Sequence, residues 1–427
     1  MITRIEIDGF KSLRTFSLDL EPLTAIVGPN GAGKSNLLDA LSLLSRVAES
    51  NLLTAFKAGR GRIRDQFART PEGVERTMRF MIELLLVEPH LGGIGLPQTR
   101  VRYELTLERT QERAGLDGLV VAAERIVPVR QGEDEWIQRH AHFAPLAKYA
   151  MPGLSVLLEG PAGKERTVHI ETGDGNAAAT VEIAPGRSLL SLPHALLTPL
   201  VAAVSRKLRS FRVLHLEPQK LWQPSDRAAG TTLAGDGSNL PTVLAALMPD
   251  ARLAVKRDME TLLPGFRGFD VTPHEDELRL EADFMDAKRL PARLLSDGML
   301  RLLALFTLLR SCRPGALVAI EEPENGVYPG RVKALVERLL TATSLSLEDD
   351  TPVPQVILST HSTAIIAALR GLPNAIVFAD LVRGRDGMRS TRMRHVVSGG
   401  ADIDSAVPSV SSGEMMRLLE SARPWDD

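Results

Sequence analysis

The apolar positions of this chain follow two rhythms, and the switches between them mark out its elements. Ile2, Ile5 and Ile7 stand among polar neighbours and predict an edge-like strand, while Phe16, Leu18 and Leu20 alternate and predict a second. Residues 23–27 form a short apolar strand that stops at Gly28. The period then becomes helical: Leu37, Leu38, Leu41 and Leu44 recur so as to bury one face of a helix over roughly 33–49. Between residue 78 and about 192, short β-like runs (78–87, 101–108, 119–129, 167–171 and 180–183) alternate with Gly-rich turns, as in an antiparallel meander. A helix over 194–210, a strand over 211–216, helices over 239–247 and 251–263, and a hairpin over 268–285 come next. The last part alternates again: a long apolar helix (299–309), a buried strand (317–320), a helix (331–340), a strand (355–359), a helix (363–369), then one or two strands and a short helix. No repeat or long heptad interrupts this. Alternating strands and helices at both ends, with an insertion between, imply one α/β sheet assembled from two sequence halves. The expected division is 1–80, 81–235, 236–380 and 381–427.

Composition narrows the class. At 427 residues there is room for two or three domains of about 150 residues each. A net charge of −2 gives no global basic field that would advertise nucleic acid. Local basic stretches remain: Lys57, Arg60, Arg62, Arg64 and Arg69 against Asp65, and the cluster Arg206, Lys207, Arg209 and Arg212. Both could meet phosphates, or be solvated faces and internal pairs. The single cysteine, Cys312, excludes an internal disulfide and a Cys-rich zinc site. Glu6 and Asp8 break any signal-like start, and no apolar run approaches the ~18 residues of a membrane helix, so a cytoplasmic protein without a membrane is expected.

Four segments carry candidate chemistry. Gly28-Pro29-Asn30-Gly31-Ala32-Gly33-Lys34-Ser35 matches G-x-x-x-x-G-K-[ST] in full, between a predicted strand and an amphipathic helix. Its glycines let backbone N–H groups converge on phosphate oxygens, at the positive end of the following helix. Lys34 would reach the β- and γ-phosphates and Ser35 would ligate Mg²⁺. In residues 317–324 a buried strand ends in Glu321 and Glu322, which would orient the metal and polarise an attacking water respectively. Ser296-Asp297-Gly298 opens a helix and offers a second anion-accepting N-terminus, though a plain helix cap has the same residues. His361, just past a strand end, could contact the γ-phosphate and the attacking water.

The order of these four segments resembles the ATP-binding-cassette (ABC) superfamily, and more narrowly the soluble RecF/SMC-type branch, in the group of bacterial RecF-like ATPases. Phe10-Lys11-Ser12-Leu13, Glu321-Glu322-Pro323-Glu324 with Asn325-Gly326-Val327-Tyr328-Pro329, Ser359-Thr360-His361-Ser362 and Gly235-Asp236-Gly237-Ser238-Asn239-Leu240 support the narrower likeness. It spans residues 1–45 and 230–365. The implied fold is α/β: an ABC-type P-loop head with an antiparallel β subdomain and a β/α insertion, or lid, between Walker A and signature. The resemblance implies ATP and Mg²⁺ as ligands. Nucleotide contacts would come from Gly28, Pro29, Asn30, Gly31, Ala32, Gly33, Lys34, Ser35 and Asn36, and from the signature residues Ser296, Asp297 and Gly298 acting in trans. Lys34, Glu322 and His361 would be catalytic; Ser35, Glu321 and a Mg²⁺-sensing glutamine, for which Gln66 is the candidate, would face the metal. Glu321 stands where many relatives have Asp, one methylene shorter. An ATP-dependent homodimer, working in DNA maintenance or anti-phage defence with DNA or with an effector or nuclease partner, is the leading expectation. There is no room for the long SMC coiled coil, and the roughly 65 residues after His361 argue against an appended Toprim nuclease. A transporter ATPase subunit and a nucleotide-binding scaffold without turnover are the alternatives.

Overall fold

The structure is a computed structural model, and it describes residues 1–86, 96, 98–111, 117–149, 156–159, 166–170, 182–193, 197–313, 315–344, 353–372, 374–397 and 409–420. Two large sheets organise it. The seven-stranded sheet runs in the order Arg212–Leu214, Leu317–Glu321, Gln355–Thr360, Leu23–Val27, Ile376–Arg383, Arg389–Val397, Ser409–Ser411. Its first five strands are parallel.

Those strands read as largely apolar runs because both faces are covered. Val318, Ile320, Val356, Leu358, Val27 and Phe378 point into one core, with helices Asp297–Ser311 and Val332–Thr343. Ala319, Ile357, Ile26, Val377 and Ala379 point into the other, where helix Lys34–Glu49 lays down Leu37, Leu38, Leu41 and Leu44. The periodicity at the start of this helix is thus the imprint of a layer, as expected.

The second sheet has eight strands and is antiparallel. In order it contains Glu182–Ile183, Arg166–Ile170, Val156–Glu159, Asp117–Pro128, Arg100–Gln111, Thr77–Leu85, Ile2–Asp8 and Phe16–Asp19. The first strand of the chain is therefore interior, paired on both sides, where an edge was expected. Its mixed pattern survives because Arg4 and Glu6 pair with each other, and Arg4 also with Asp19, on one face of the sheet. A hairpin of Phe266–His274 with Glu277–Phe284 forms a third, smaller sheet.

Several boundaries move for local reasons. The helix expected over 194–210 is Pro199–Arg209: Thr198 caps it, accepting from the Val201 N–H, and Pro199 sits in the first turn, where its missing N–H costs nothing. Residues 194–196, 87, 171 and 180–181 of the predicted runs lie outside the described residues. The apolar helix expected from 299 begins at Asp297 because Ser296 is its cap. Asn239 precedes helix Leu240–Ala246 but does not cap it with its side chain. Its Oδ1 accepts the Ala234 N–H at 2.8 Å, and its Nδ2 donates to the Gly230 and Thr232 carbonyls at 2.6 and 2.9 Å.

Three of the four cations in the cluster at 206–212 hold backbone carbonyls. Lys207 donates to the Gly315 carbonyl, Arg209 to those of Ala48 and Leu190, and Arg212 to those of Arg209 and Phe211. By contrast Lys57, Arg60, Arg62, Arg64 and Arg69 are all exposed.

Candidate nucleotide site

Parallel strands deliver their carboxyl ends to one edge, and this sheet is registered so that four of them end together. Leu214 lies opposite Ile320, Ile320 opposite Leu358, and Thr360 opposite Val27. The residues that follow, His215, Glu322, His361 and Gly28, accordingly gather at one edge of the sheet, and of these His215 and Glu322 line a cavity there. The cavity, of about 560 Å³, is lined by residues 30, 31 and 33–36 of the loop together with His215, Arg301, Glu321, Glu322, Asn325 and Ser359.

The glycines of the loop answer to close approach as well as curvature. A Cβ on Gly33, whose φ is 91°, would lie 1.8 Å from Thr391 Oγ1, and one on Gly28 would lie 2.3 Å from the Ala379 carbonyl oxygen. Helix Lys34–Glu49 has no side-chain cap and no acid in its first turn, so its leading N–H groups remain open to an anion. Lys34 Nζ donates to the carbonyls of Gly28 and Pro29 at 2.6 and 2.9 Å. Burial depresses the Lys34 pKa, while the neighbouring Glu322 and Glu321 oppose that shift. Asn36 lines the cavity, but its Nδ2 donates to Ser12 Oγ at 2.7 Å, and Ser12 Oγ lies 2.6 Å from Thr391 Oγ1. Gly28, Pro29 and Ala32 frame the loop from behind and do not line the cavity.

The two carboxylates diverge. Glu321 Oε2 lies 2.9 Å from His215 Nδ1. The hydrogen bond with His215 is the main reason that the Glu321 carboxyl titrates below its ordinary value; partial burial opposes this, and Ser35 and Arg60 add to it. Its Oε1 is buried without a hydrogen-bond partner among the described residues. Glu322 has a left-handed backbone, φ 49°, held by its N–H donating to the Ser359 carbonyl at 2.7 Å. Asn325 Nδ2 donates to Glu322 Oε2 at 2.6 Å, and His361 Nδ1 lies 3.1 Å from Oε1. Glu324 accepts from the Thr360 hydroxyl, tying the two strand ends together.

One expected metal-facing residue lies apart from the cavity. Gln66 is buried, its Nε2 donates to the Phe56 carbonyl at 2.9 Å, and it does not line the cavity, so it is not placed as a metal ligand. The polar residue found instead is His215, which sequence reasoning missed. A single His after a three-residue strand carries no signal until the strand is known to lie beside Leu317–Glu321.

Ser296 and Asp297 are exposed and lie outside the cavity of their own chain. Gly298 is buried against Gly326: a Cβ on Gly298 would lie 2.1 Å from the Gly326 carbonyl oxygen, so the signature turn and the loop after the acidic strand touch backbone to backbone. One turn on, Arg301 reaches the cavity.

The donor set suits Mg²⁺. An unpartnered carboxylate oxygen next to a serine hydroxyl is hard-oxygen chemistry. Among the described residues no group of three or more His, Cys, Asp or Glu could hold a metal by itself. That matches an ion shared with substrate phosphates rather than caged by protein.

A phosphate-binding loop and paired strand-end acids on a parallel sheet, with an antiparallel sheet beside it, define a P-loop ATPase of the ABC type. More narrowly, its fold resembles that of SMC ATPase heads. A family model described as "AAA domain, putative AbiEii toxin, Type IV TA system" matches residues 194–367, and one described as "AAA ATPase domain" matches residues 1–80. Over 53 residues, 12% of this chain, it is 47% identical to structural maintenance of chromosomes protein 1 of Schizosaccharomyces pombe. Over 44 residues, 10% of the chain, it is 50% identical to the OLD nuclease of Thermus scotoductus. These matches span only 4% and 8% of those relatives' own length. Among solved structures, an Smc head bound to the C-terminal winged-helix domain of ScpA aligns with a TM-score of 0.50 at 15% identity, covering 92% of this chain and 98% of that one. At that identity the likeness concerns the fold. Among the described residues no helix is long and apolar enough to cross a membrane.

Proposed function

We propose that this chain is an ATP-driven dimeric switch, in which each subunit's signature turn closes over the nucleotide of its partner. The observation that carries this is the exposure of Ser296 and Asp297 outside their own cavity, while the phosphate-binding loop, Glu321 and Glu322 line it. Leu294 and Tyr328, 64% and 75% exposed, flank the signature turn and the loop it touches, giving that face apolar surface for a second copy.

The remaining roles follow from position. The N–H groups of residues 31 and 33–35 donate to the phosphates, and Lys34 leaves its two carbonyl partners for them. Ser35 and Glu321 would hold Mg²⁺, which would supply charge neutralisation to the bound phosphates. Glu322 accepts the proton of the attacking water at its carboxylate, aimed by Asn325 and His361. The switch is read as serving DNA maintenance or anti-phage defence. The exposed cations of the 57–69 stretch supply a surface for nucleic acid, and similarity to a nuclease and to a head that binds a second protein favours a separate protein effector.

Glu322→Gln should slow phosphate release and accumulate a dimer with ATP and Mg²⁺, while Lys34→Ala should abolish release. Light scattering decides the clamp: a Glu322→Gln protein that stays monomeric with ATP and Mg²⁺ overturns it.

A further inference from the structure

His215 stands in the cleft without a part in the scheme above. Its ring has two polar neighbours: Glu321 Oε2 at 2.9 Å from Nδ1, and Arg60 Nη2 at 3.3 Å from Nε2. A guanidinium can only donate, so Nε2 must accept and Nδ1 must carry the hydrogen. The tautomer is thereby fixed, and Nδ1–H donates to Glu321. Arg60 is itself placed by Asp39, 3.8 Å from its Nε, and Asp39 pairs with Lys11 at 2.6 Å. The ring's own backbone is pinned by its N–H donating to the Gly235 carbonyl at 2.9 Å.

We infer that His215 is a positioning residue for the metal-binding carboxylate, holding Glu321 by Oε2 so that the unpartnered Oε1 is left for the ion. This rests on the reading of the cavity as a Mg·ATP site. The physical need is plain. A glutamate has one more rotatable bond than an aspartate, and a half-exposed carboxylate with one oxygen unanchored would sample several rotamers. One directed hydrogen bond, with the donor ring locked from behind by Arg60, removes that freedom before the metal arrives. Groups that orient a metal's ligands in this way characteristically govern affinity for the ion rather than for the rest of the ligand. The arrangement also links Lys11, near the chain start, through Asp39 and Arg60 to the metal acid.

The test uses the full chain with Mn²⁺ as a spectroscopic probe. Electron paramagnetic resonance would measure Mn²⁺ binding in the presence of ATP, and a fluorescent ATP analogue in EDTA would measure nucleotide binding without metal. His215→Ala should weaken Mn²⁺ binding by about 10- to 100-fold and leave metal-free nucleotide binding unchanged. In His215→Asn the side-chain amide nitrogen falls near the position of Nδ1, so this variant should recover most of the Mn²⁺ affinity. His215→Gln, whose amide reaches toward the Nε2 position instead, should not. The inference is overturned if folded His215→Ala binds Mn²⁺ as the unaltered protein does, if Asn gives no recovery, or if metal-free nucleotide binding falls in parallel, which would make His215 a packing residue. If the unaltered protein shows no ATP-dependent Mn²⁺ binding, the Mg·ATP reading of the cavity fails, and the inference with it.

Discussion

Glu322 is held in a backbone conformation that side chains resist. For an L-residue other than glycine, asparagine or aspartate the left-handed region costs roughly 1–2 kcal/mol, and Glu322 sits there at φ 49°. The bond from its N–H to the Ser359 carbonyl and the two contacts on its carboxylate keep it in place. Removing the carboxylate should therefore separate strain from chemistry. Glu322→Gly should be more stable than Glu322→Ala by about 1 kcal/mol in urea denaturation, with phosphate release lost in both; an Ala variant more stable than the Gly variant would mean that the backbone is not strained. At this scale the sequence was legible where chemistry and spacing coincide, as at Lys34, Ser35, Glu321 and Glu322, which line the cavity together. It was not legible where a role depends on which strand lies alongside. Gln66 was chosen by its place in the order of the chain, yet its amide faces the Phe56 carbonyl. His215 was passed over, since its partners Glu321 and Arg60 are each more than a hundred residues away.

Among the elements, the contact of Gly298 with Gly326 joins the helix Asp297–Ser311 to the loop after Leu317–Glu321 at a distance that admits no side chain. Gly298→Ala should force one backbone away from the other and cost about 1–3 kcal/mol, visible as a lower thermal midpoint. An unchanged midpoint would show that the two turns separate freely. The parallel strands and their covering helices could be read from apolar runs and helical spacing because burial on both faces leaves that signature. The antiparallel sheet was readable as a set of β-like runs but not as an order. Nothing in the alternation of Ile2, Ile5 and Ile7 announces that this strand pairs with Thr77–Leu85, or that Arg4, Glu6 and Asp19 would make an interior strand look like an edge.

Across the whole molecule, a few buried polar groups fasten distant parts of the chain. Arg100, fully buried, donates to both oxygens of Asp134 at 2.6 and 2.8 Å and to Thr3 Oγ1 at 2.9 Å. Asp134→Ala would strand that guanidinium and should cost about 3–5 kcal/mol in chemical denaturation; a loss below ~1 kcal/mol would mean that Glu83, 3.6 Å away, takes over the pairing. Gln355 donates to the Ile2 and Glu21 carbonyls at 2.7 and 3.1 Å and accepts the Ile2 N–H at 2.8 Å, so the start of the chain is bound to a strand made near its end. The strand order carries this further, into the time in which the protein is made. Leu23–Val27, which aims the phosphate-binding loop, has Gln355–Thr360 on one side and Ile376–Arg383 on the other, and no neighbour from its own half. At translation rates of about 5–20 residues per second, this strand waits tens of seconds on the ribosome before either partner exists. The loop that this strand aims is synthesised well before both of the strand's neighbours and can take its final shape only after them.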